Sequence, residues 1–119
     1  LIDELADLRL NITAVMTHEQ LDQLGTVDMP HHIISVFAGR INDADVEAPI
    51  ISMWGLKANK LWASTREIFS IKAASIYGYD IITMTPDLIA KLPLRGKDLK
   101  EYSRETVQQF HEDGKSCVF

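Results

Sequence analysis

The sequence lacks the features that mark disulfide-rich, membrane-spanning and nucleic-acid-binding proteins. Its one cysteine, Cys117, excludes an internal disulfide and favours a reducing compartment, so a cytoplasmic location is expected. No apolar stretch reaches the roughly 18 residues that span a bilayer. The 12 basic residues form no run and the net charge is -5 at pH 7, which argues against a surface that binds a phosphate backbone. We therefore expect no membrane and no nucleic acid as partner.

The spacing of metal ligands is missing as well. Of the four histidines, His31 and His32 are adjacent and would point to opposite faces of a strand. No carboxylate or thiol stands at a recognised ligand spacing from them. The sequence therefore predicts no metal and no cofactor, and Cys117, with only Lys115 as a basic neighbour, is expected to be inert.

What the sequence does contain is an alternation of apolar strands and helical segments. With 119 residues, 46% of them hydrophobic, it has room for a single domain. The predicted strands cover 10–16, 32–38, 60–63 and 80–84, and helical signals, weak after the second strand, follow them. Nearly continuous apolar runs in the second and fourth strands are typical of parallel sheets that are buried on both faces. Four such units are half of a TIM (β/α)8 barrel.

Three helix starts have local capping signals, which lie at Thr17 with Gln20, Ser64 with Glu67, and Thr85 with Pro86. The first two are capping boxes, and the third is an N-cap followed by proline at the first helical position. The pattern also predicts an amphipathic helix over 1–8, a loop over 42–45, and a final helix from 99 to 114. The helical signals over 18–31 and 41–59 are weak, and the second stretch contains Pro49, Gly55 and an apolar run at 50–54.

Polar side chains gather where the predicted strands end, which is where ligand sites lie in parallel α/β proteins. The candidates are Asn11, Thr13, Ser35, Phe37, Arg40, Ser64, Arg66, Thr83 and Thr85. Hydroxyls and two guanidinium groups near helix starts suit an anion, and a sugar phosphate is the natural ligand. Each candidate also has a structural explanation. Ser64 can be a helix cap only and Phe37 a core residue, while the arginines can form surface ion pairs and the first-strand residues can fill a barrel layer.

Four segments resemble the transaldolase family, including its small fructose-6-phosphate aldolase branch. They are Asn-Ile-Thr-Ala-Val-Met-Thr-His-Glu-Gln at 11–20, Ser-Val-Phe-Ala-Gly-Arg-Ile-Asn-Asp at 35–43, Trp-Ala-Ser-Thr-Arg-Glu at 62–67 and Asp-Ile-Ile-Thr-Met-Thr-Pro-Asp-Leu at 80–88. The resemblance implies that these segments correspond to strands five to eight of an eight-stranded barrel, so that 1–119 is the C-terminal half. It also implies the chemistry of sugar-phosphate metabolism, including the pentose phosphate pathway, in which a strand-four lysine forms a Schiff base with a ketose and a dihydroxyacetone unit is transferred.

The resemblance also assigns roles to residues of this chain. Thr13 resembles the catalytic threonine that helps to hold a water molecule, with Asn11 beside it. Ser35 and Phe37 resemble residues that line the substrate pocket, and the aldolase branch tends to have tyrosine at the position of Phe37, which favours the transferase. The group that resembles the binding site for the sugar phosphate consists of Arg40, Ser64 and Arg66.

The family's strand-four lysine has no counterpart among the seven lysines of this sequence. The absence of an initiating Met and the start within a predicted helix suggest that the lysine lies upstream, and the connections after the first two strands look short for complete family helices. We therefore expect a class I aldol transferase that is incomplete and inactive as given, with the missing barrel half or a second copy as partner. A fructose-6-phosphate aldolase-type lyase and a non-catalytic phosphosugar-binding half-barrel remain as alternatives, and the sequence does not identify the donor and acceptor sugars.

Overall fold

The computed structural model describes residues 8–24, 31–44 and 51–116, in which strands alternate with helices. The strands are β1 (Asn11–Val15), β2 (Ile33–Val36), β3 (Asn59–Trp62) and β4 (Ile81–Ile82). The helices are α1 (His18–Leu24), α2 (Ala38–Ala44), α3 (Ser70–Ile76), α4 (Pro86–Ala90) and α5 (Leu99–Ser116), and a 3-10 turn covers Leu92–Leu94. The four predicted strands are confirmed close to their predicted positions.

The strands form one parallel sheet in the order β1-β2-β3-β4, as predicted. All carboxyl ends therefore lie at the same edge of the sheet. Residues that pair across parallel strands share a face, and the register pairs Asn11 with Ile33 and Ile33 with Asn59. Alternation along the strands then places Ile34 and Trp62 on the opposite face. The two faces differ in how they are packed.

Helices cover only one of these faces, which we call the covered face. Ile34, Val36 and Trp62 on this face have exposures of 0, 1 and 1%, and they share a core with Ala73 and Ala74 of α3. On the other face, which we call the open face, Asn11, Thr13 and Asn59 are exposed and Ile81 is 39% exposed. Within the described residues the sheet thus has one side that belongs to the packed core and one side that is largely outside it.

Two of the local capping signals act as predicted. The Thr17 hydroxyl accepts a hydrogen bond from the Gln20 amide at 3.2 Å, and Oε1 of Gln20 accepts one from the Thr17 amide at 3.1 Å, which completes a capping box at α1. Thr85 caps α4 by accepting from the amide of Leu88, with Pro86 at the start of the helix. These starts are set by residues three apart in sequence.

Three local predictions are wrong. Ser64 does not cap a helix: α3 begins at Ser70, and Ser64 itself has a φ of 62°, whereas an N-cap residue has extended backbone. The predicted loop over 42–45 is helical at Asn42 and Asp43, which belong to α2. The weak helical signal over 41–59 is helical up to Ala44, where α2 ends, but it is wrong over 51–58, which contains a turn at Trp54 and Gly55 and no helix. The prediction for 1–7 and those for Asp45, Cys117 and Ile50 lie outside the described residues.

The final helix, α5, has almost no packing against the sheet. Its large apolar side chains are mostly in solvent, with Leu99, Val107 and Phe110 exposed at 79, 64 and 69%. Surface ion pairs such as Arg104 with Glu101 lie along the same helix. Across the described ranges, no helix is both long and apolar enough to cross a membrane.

Candidate functional site

The open face carries the first pair of predicted site residues, Asn11 on β1 and Ser35 on β2. The Ser35 hydroxyl donates a hydrogen bond of 2.6 Å to Oδ1 of Asn11. Ser35 is 2% exposed, whereas Asn11 is exposed, so the buried hydroxyl orients an amide that a ligand on this face can reach. The two residues are 24 apart in sequence and meet only because β1 and β2 are neighbours.

Thr13 lies further along β1, towards the carboxyl end, and its side chain is on the open face. The next residue, Ala14, has a φ of 60°, and the register of β1 against β2 shifts between Ile12 and Val15. This irregularity has the features of a β-bulge, and it turns Val15 to the covered face, where it is 3% exposed. Without the bulge, strict alternation would place Val15 on the open face beside Thr13, so the bulge leaves the Thr13 hydroxyl on a more polar surface.

The backbone of the first turn of α2 contacts the backbone of the loop after β3. Gly39, the second residue of α2, donates a hydrogen bond of 3.4 Å from its amide to the carbonyl of Ala63. A Cβ atom built on Gly39 would lie 1.6 Å from the carbonyl oxygen of Ser64, which leaves no room for a side chain. Ser64 takes the left-handed conformation at this contact. We call the contact between Gly39 and residues 63–64 the loop junction.

The loop junction brings Arg40, which follows Gly39, to the same edge of the sheet as Ser64. The Arg40 side chain is exposed, and its guanidinium carbon lies 5.5 Å from the centre of the Phe37 ring, a cation–π distance. Phe37 is half-buried and its amide bonds to the carbonyl of Val15, which links the ends of β1 and β2. An aromatic ring thus supports one of the two predicted phosphate-binding arginines.

The second arginine, Arg66, has a carboxylate partner instead. Nη2 of Arg66 lies 2.9 Å from Oδ2 of Asp43 on α2, and the side chains are 55 and 58% exposed. Both residues line a cavity of about 350 Å³ between α2 and α3. Arg40 on α2 and Arg66 on the loop after β3 therefore lie on neighbouring segments but contact different residues. The sequence did not reveal Asp43 as a partner, because helix α2 was not predicted to include it.

The two threonines after β4 both make hydrogen bonds to the backbone. Thr85 caps α4, and the hydroxyl of Thr83 donates to the carbonyl of Trp62 at 3.5 Å. Gly39 and Ala14 are the residues that sequence reasoning missed. Gly39 lies one residue beyond the second predicted strand, and the signal that could have identified it is that glycine is favoured where two backbones approach closely.

All seven lysines lie among the described residues, and none of them is at the carboxyl end of a strand. Lys60 is the one within a strand, at the second position of β3, and its register with Ile34 places it on the covered face. Its Nζ lies 3.6 Å from Oδ2 of Asp80. Within 8–24, 31–44 and 51–116 there is also no group of three His, Cys, Asp or Glu residues that could hold a metal ion.

Among models of known protein families, the one described as Transaldolase/Fructose-6-phosphate aldolase matches residues 4–118. No curated protein and no solved structure matches the chain. The matched range includes all four strands and every candidate site residue described above.

Proposed function

This chain belongs to the transaldolase/fructose-6-phosphate aldolase family, and from that membership we propose that it supplies the phosphate-binding half of an enzyme that transfers a dihydroxyacetone unit between sugar phosphates. The membership confirms the resemblance inferred from the sequence and implies an aldolase-type enzyme with a TIM-barrel fold. The open, four-stranded parallel sheet is consistent with part of such a barrel. The family match over 4–118 is the observation that carries the proposal.

In this proposal the open sheet corresponds to strands five to eight of the barrel, and the open face is the barrel interior. Polar side chains on that face support this assignment, since Asn11, Thr13 and Asn59 are exposed there beside apolar residues such as Ile81. A closed barrel turns this surface inwards, where substrate and side chains from the remaining strands fill it. The uncovered edges of β1 and β4 would pair with the missing half of the barrel or with a second copy of this chain.

The phosphate of the substrate is held by Arg40, Ser64 and Arg66. The loop junction supports this role because it joins the start of α2, which carries Arg40, to the loop that carries Ser64 and Arg66. Arg66 must exchange Asp43 for the phosphate. The exposed Arg66–Asp43 pair is of the kind worth about 0–1 kcal/mol, whereas a phosphate gives the guanidinium a bidentate, doubly charged acceptor. The exchange is therefore favourable.

The remaining site residues act on the carbon chain of the substrate. We assign to the Thr13 hydroxyl the task of holding the catalytic water, with the Asn11 amide beside it and oriented by Ser35. Phe37 forms part of the pocket wall. The lysine that forms the Schiff base is supplied by a strand outside these residues, because the seven lysines of the chain occupy helices, loops or the covered face. The chain alone is then inactive, and protonation of the imine provides the electron sink in the complete enzyme.

The catalytic part is tested by borohydride trapping. The complete gene product is incubated with fructose 6-phosphate and borohydride, and the mass of the intact protein is measured. A reduced covalent adduct on a lysine outside 1–119 is expected, with no adduct on the isolated chain. If the complete product forms no adduct, the Schiff-base mechanism is refuted.

The phosphate site is tested separately on this chain. Inorganic phosphate is titrated into the protein and into the variants Arg40→Gln and Arg66→Gln, with Arg104→Gln on α5 as the control for lost positive charge. We expect each site variant to weaken binding by about tenfold, which is the effect of losing one charge-assisted interaction of about 1.4 kcal/mol. Equal affinities for Arg104→Gln and the site variants would show that the binding is nonspecific.

Two alternatives differ in chemistry. A lyase of the fructose-6-phosphate aldolase type releases the three-carbon unit to water, and the presence of Phe37 in place of tyrosine favours the transferase. The absence of a lysine on the open face favours the second alternative, a non-catalytic half-barrel that only binds sugar phosphates. Product analysis with and without an acceptor aldehyde separates transferase from lyase, and failed trapping together with retained phosphate binding supports the half-barrel.

A further inference from the structure

Gly39 lies where the backbone of the first turn of α2 closely approaches the backbone of the loop after β3. The built Cβ position lies 1.6 Å from the carbonyl oxygen and 2.7 Å from the carbonyl carbon of Ser64, and both neighbours are backbone atoms that cannot rotate away. Gly39 is buried and lies in the first turn of α2. Any larger residue at position 39 therefore has to increase the distance between the start of α2 and the loop after β3.

From this contact we infer that Gly39 is a positioning residue that sets the separation between Arg40 in the first turn of α2 and Ser64 and Arg66 on the loop after β3. The inference rests on the proposed function, in which these three residues share one phosphate. Arg40 follows Gly39 directly, and Arg66 is two residues beyond Ser64, so the spacing of the ligand-binding groups depends on the junction.

The backbone of Ser64 shows that the junction constrains both loops. Its φ of 62° is a conformation that residues other than glycine rarely adopt, and Ser64 is the residue whose carbonyl approaches Gly39. The hydrogen bond from the Gly39 amide to the carbonyl of Ala63 adds a second backbone contact between α2 and the start of the loop after β3. Restraining both loops before substrate arrives lowers the cost of ordering the phosphate-binding groups.

An alanine at position 39 has to move by roughly 1.5 Å to reach an acceptable contact, and misplacements of about 1 Å are enough to lower the efficiency of a preorganised site strongly. The matched control is Gly114→Ala. Gly114 is also helical, in α5, but a Cβ there meets nothing within 4 Å. The two variants make the same chemical change, one at the junction and one in open space.

The experiment is a phosphate titration followed by amide NMR on the wild-type chain, Gly39→Ala and Gly114→Ala. Before phosphate is added, Gly39→Ala should shift the amides of residues 63–67, and Gly114→Ala should leave them unchanged. During the titration, Gly39→Ala should weaken phosphate binding by about tenfold or more, with Gly114→Ala at the wild-type affinity. Wild-type shifts at 63–67 together with wild-type affinity in Gly39→Ala would overturn the inference.

The two claims fail separately. If the wild-type chain binds no phosphate, the proposed phosphate site is refuted, while the amide shifts without ligand still decide whether Gly39 positions the second loop. If Gly39→Ala does not fold, Ser64→Gly is compared with Ser64→Ala by thermal melting. Both lack the hydroxyl, but only glycine adopts a φ near 62° without strain, so Ser64→Gly should melt at the higher temperature. An equal or lower melting temperature for Ser64→Gly would contradict the junction geometry.

Discussion

The phenol of Tyr79 gives a stability prediction that has a distinctive pH dependence. Tyr79 is 9% exposed, its hydroxyl donates a hydrogen bond of 2.8 Å to the carbonyl of Ile51, and its ring packs edge-on against Trp62 at 5.2 Å. Burial raises the pKa of the Tyr79 hydroxyl above its ordinary value of 10.0, because the phenolate would lose its hydration. The native state therefore binds this proton more tightly than the unfolded state does.

The variant Tyr79→Phe keeps the ring and removes only the hydroxyl. At pH 7 we expect it to be less stable than the wild type by about 1 kcal/mol, the net value of one hydrogen bond. A group whose pKa is raised on folding stabilises the protein fully below its unfolded pKa, and that stability is lost as the pH rises towards the folded pKa. Above about pH 10 the wild type should therefore lose roughly 1.4 kcal/mol per pH unit relative to the variant.

The hydrogen bond of Tyr79 stabilises the wild type, whereas its raised pKa destabilises the wild type at high pH. The pH at which the two contributions are equal can be calculated. The wild type loses its advantage near pH 11, and by about pH 12 Tyr79→Phe should be the more stable protein by about 1.5 kcal/mol. Urea denaturation monitored by tryptophan fluorescence between pH 7 and 12 measures the difference. Other groups that titrate in this range, including the half-buried Lys97, are common to both proteins and cancel. A difference that stays constant to pH 12 would refute the burial of the Tyr79 hydroxyl.

Further predictions concern the core, a helix cap and the site. Ile34→Ala, at a side chain with 0% exposure, should cost about 2–5 kcal/mol in the free energy of unfolding, whereas Ile89→Ala, at 53% exposure, should cost less than about 1 kcal/mol; equal losses would contradict the assigned burial. Thr85→Ala removes the N-cap of α4 and should cost about 1 kcal/mol by urea denaturation, and an unchanged midpoint would mean that the cap is not formed in solution. Asp43→Asn removes the carboxylate that competes for Arg66, so phosphate should bind about two- to fivefold more tightly in an NMR titration; weaker binding would show instead that Asp43 holds Arg66 in the binding geometry.

The parts of this protein that could be predicted from the sequence depend on residues close together in the chain. The capping box of Thr17 with Gln20 and the cap of Thr85 with Pro86 needed only local spacing, and the apolar runs of β2 and β4 indicated a parallel sheet. The same kind of evidence misplaced the start of α3, because the Ser64–Glu67 signal is overridden where Ser64 is held in a left-handed conformation.

Amino-acid order alone was enough to determine the alternation of strands and helices, the family and the identity of the residues at the strand ends. Tertiary structure decided which of those residues meet: Ser35 with Asn11, Arg66 with Asp43, and Gly39 with Ser64. The physical reason is distance along the chain. Each of these contacts joins residues more than 20 positions apart, so it exists only once the sheet register has set which strand ends are neighbours.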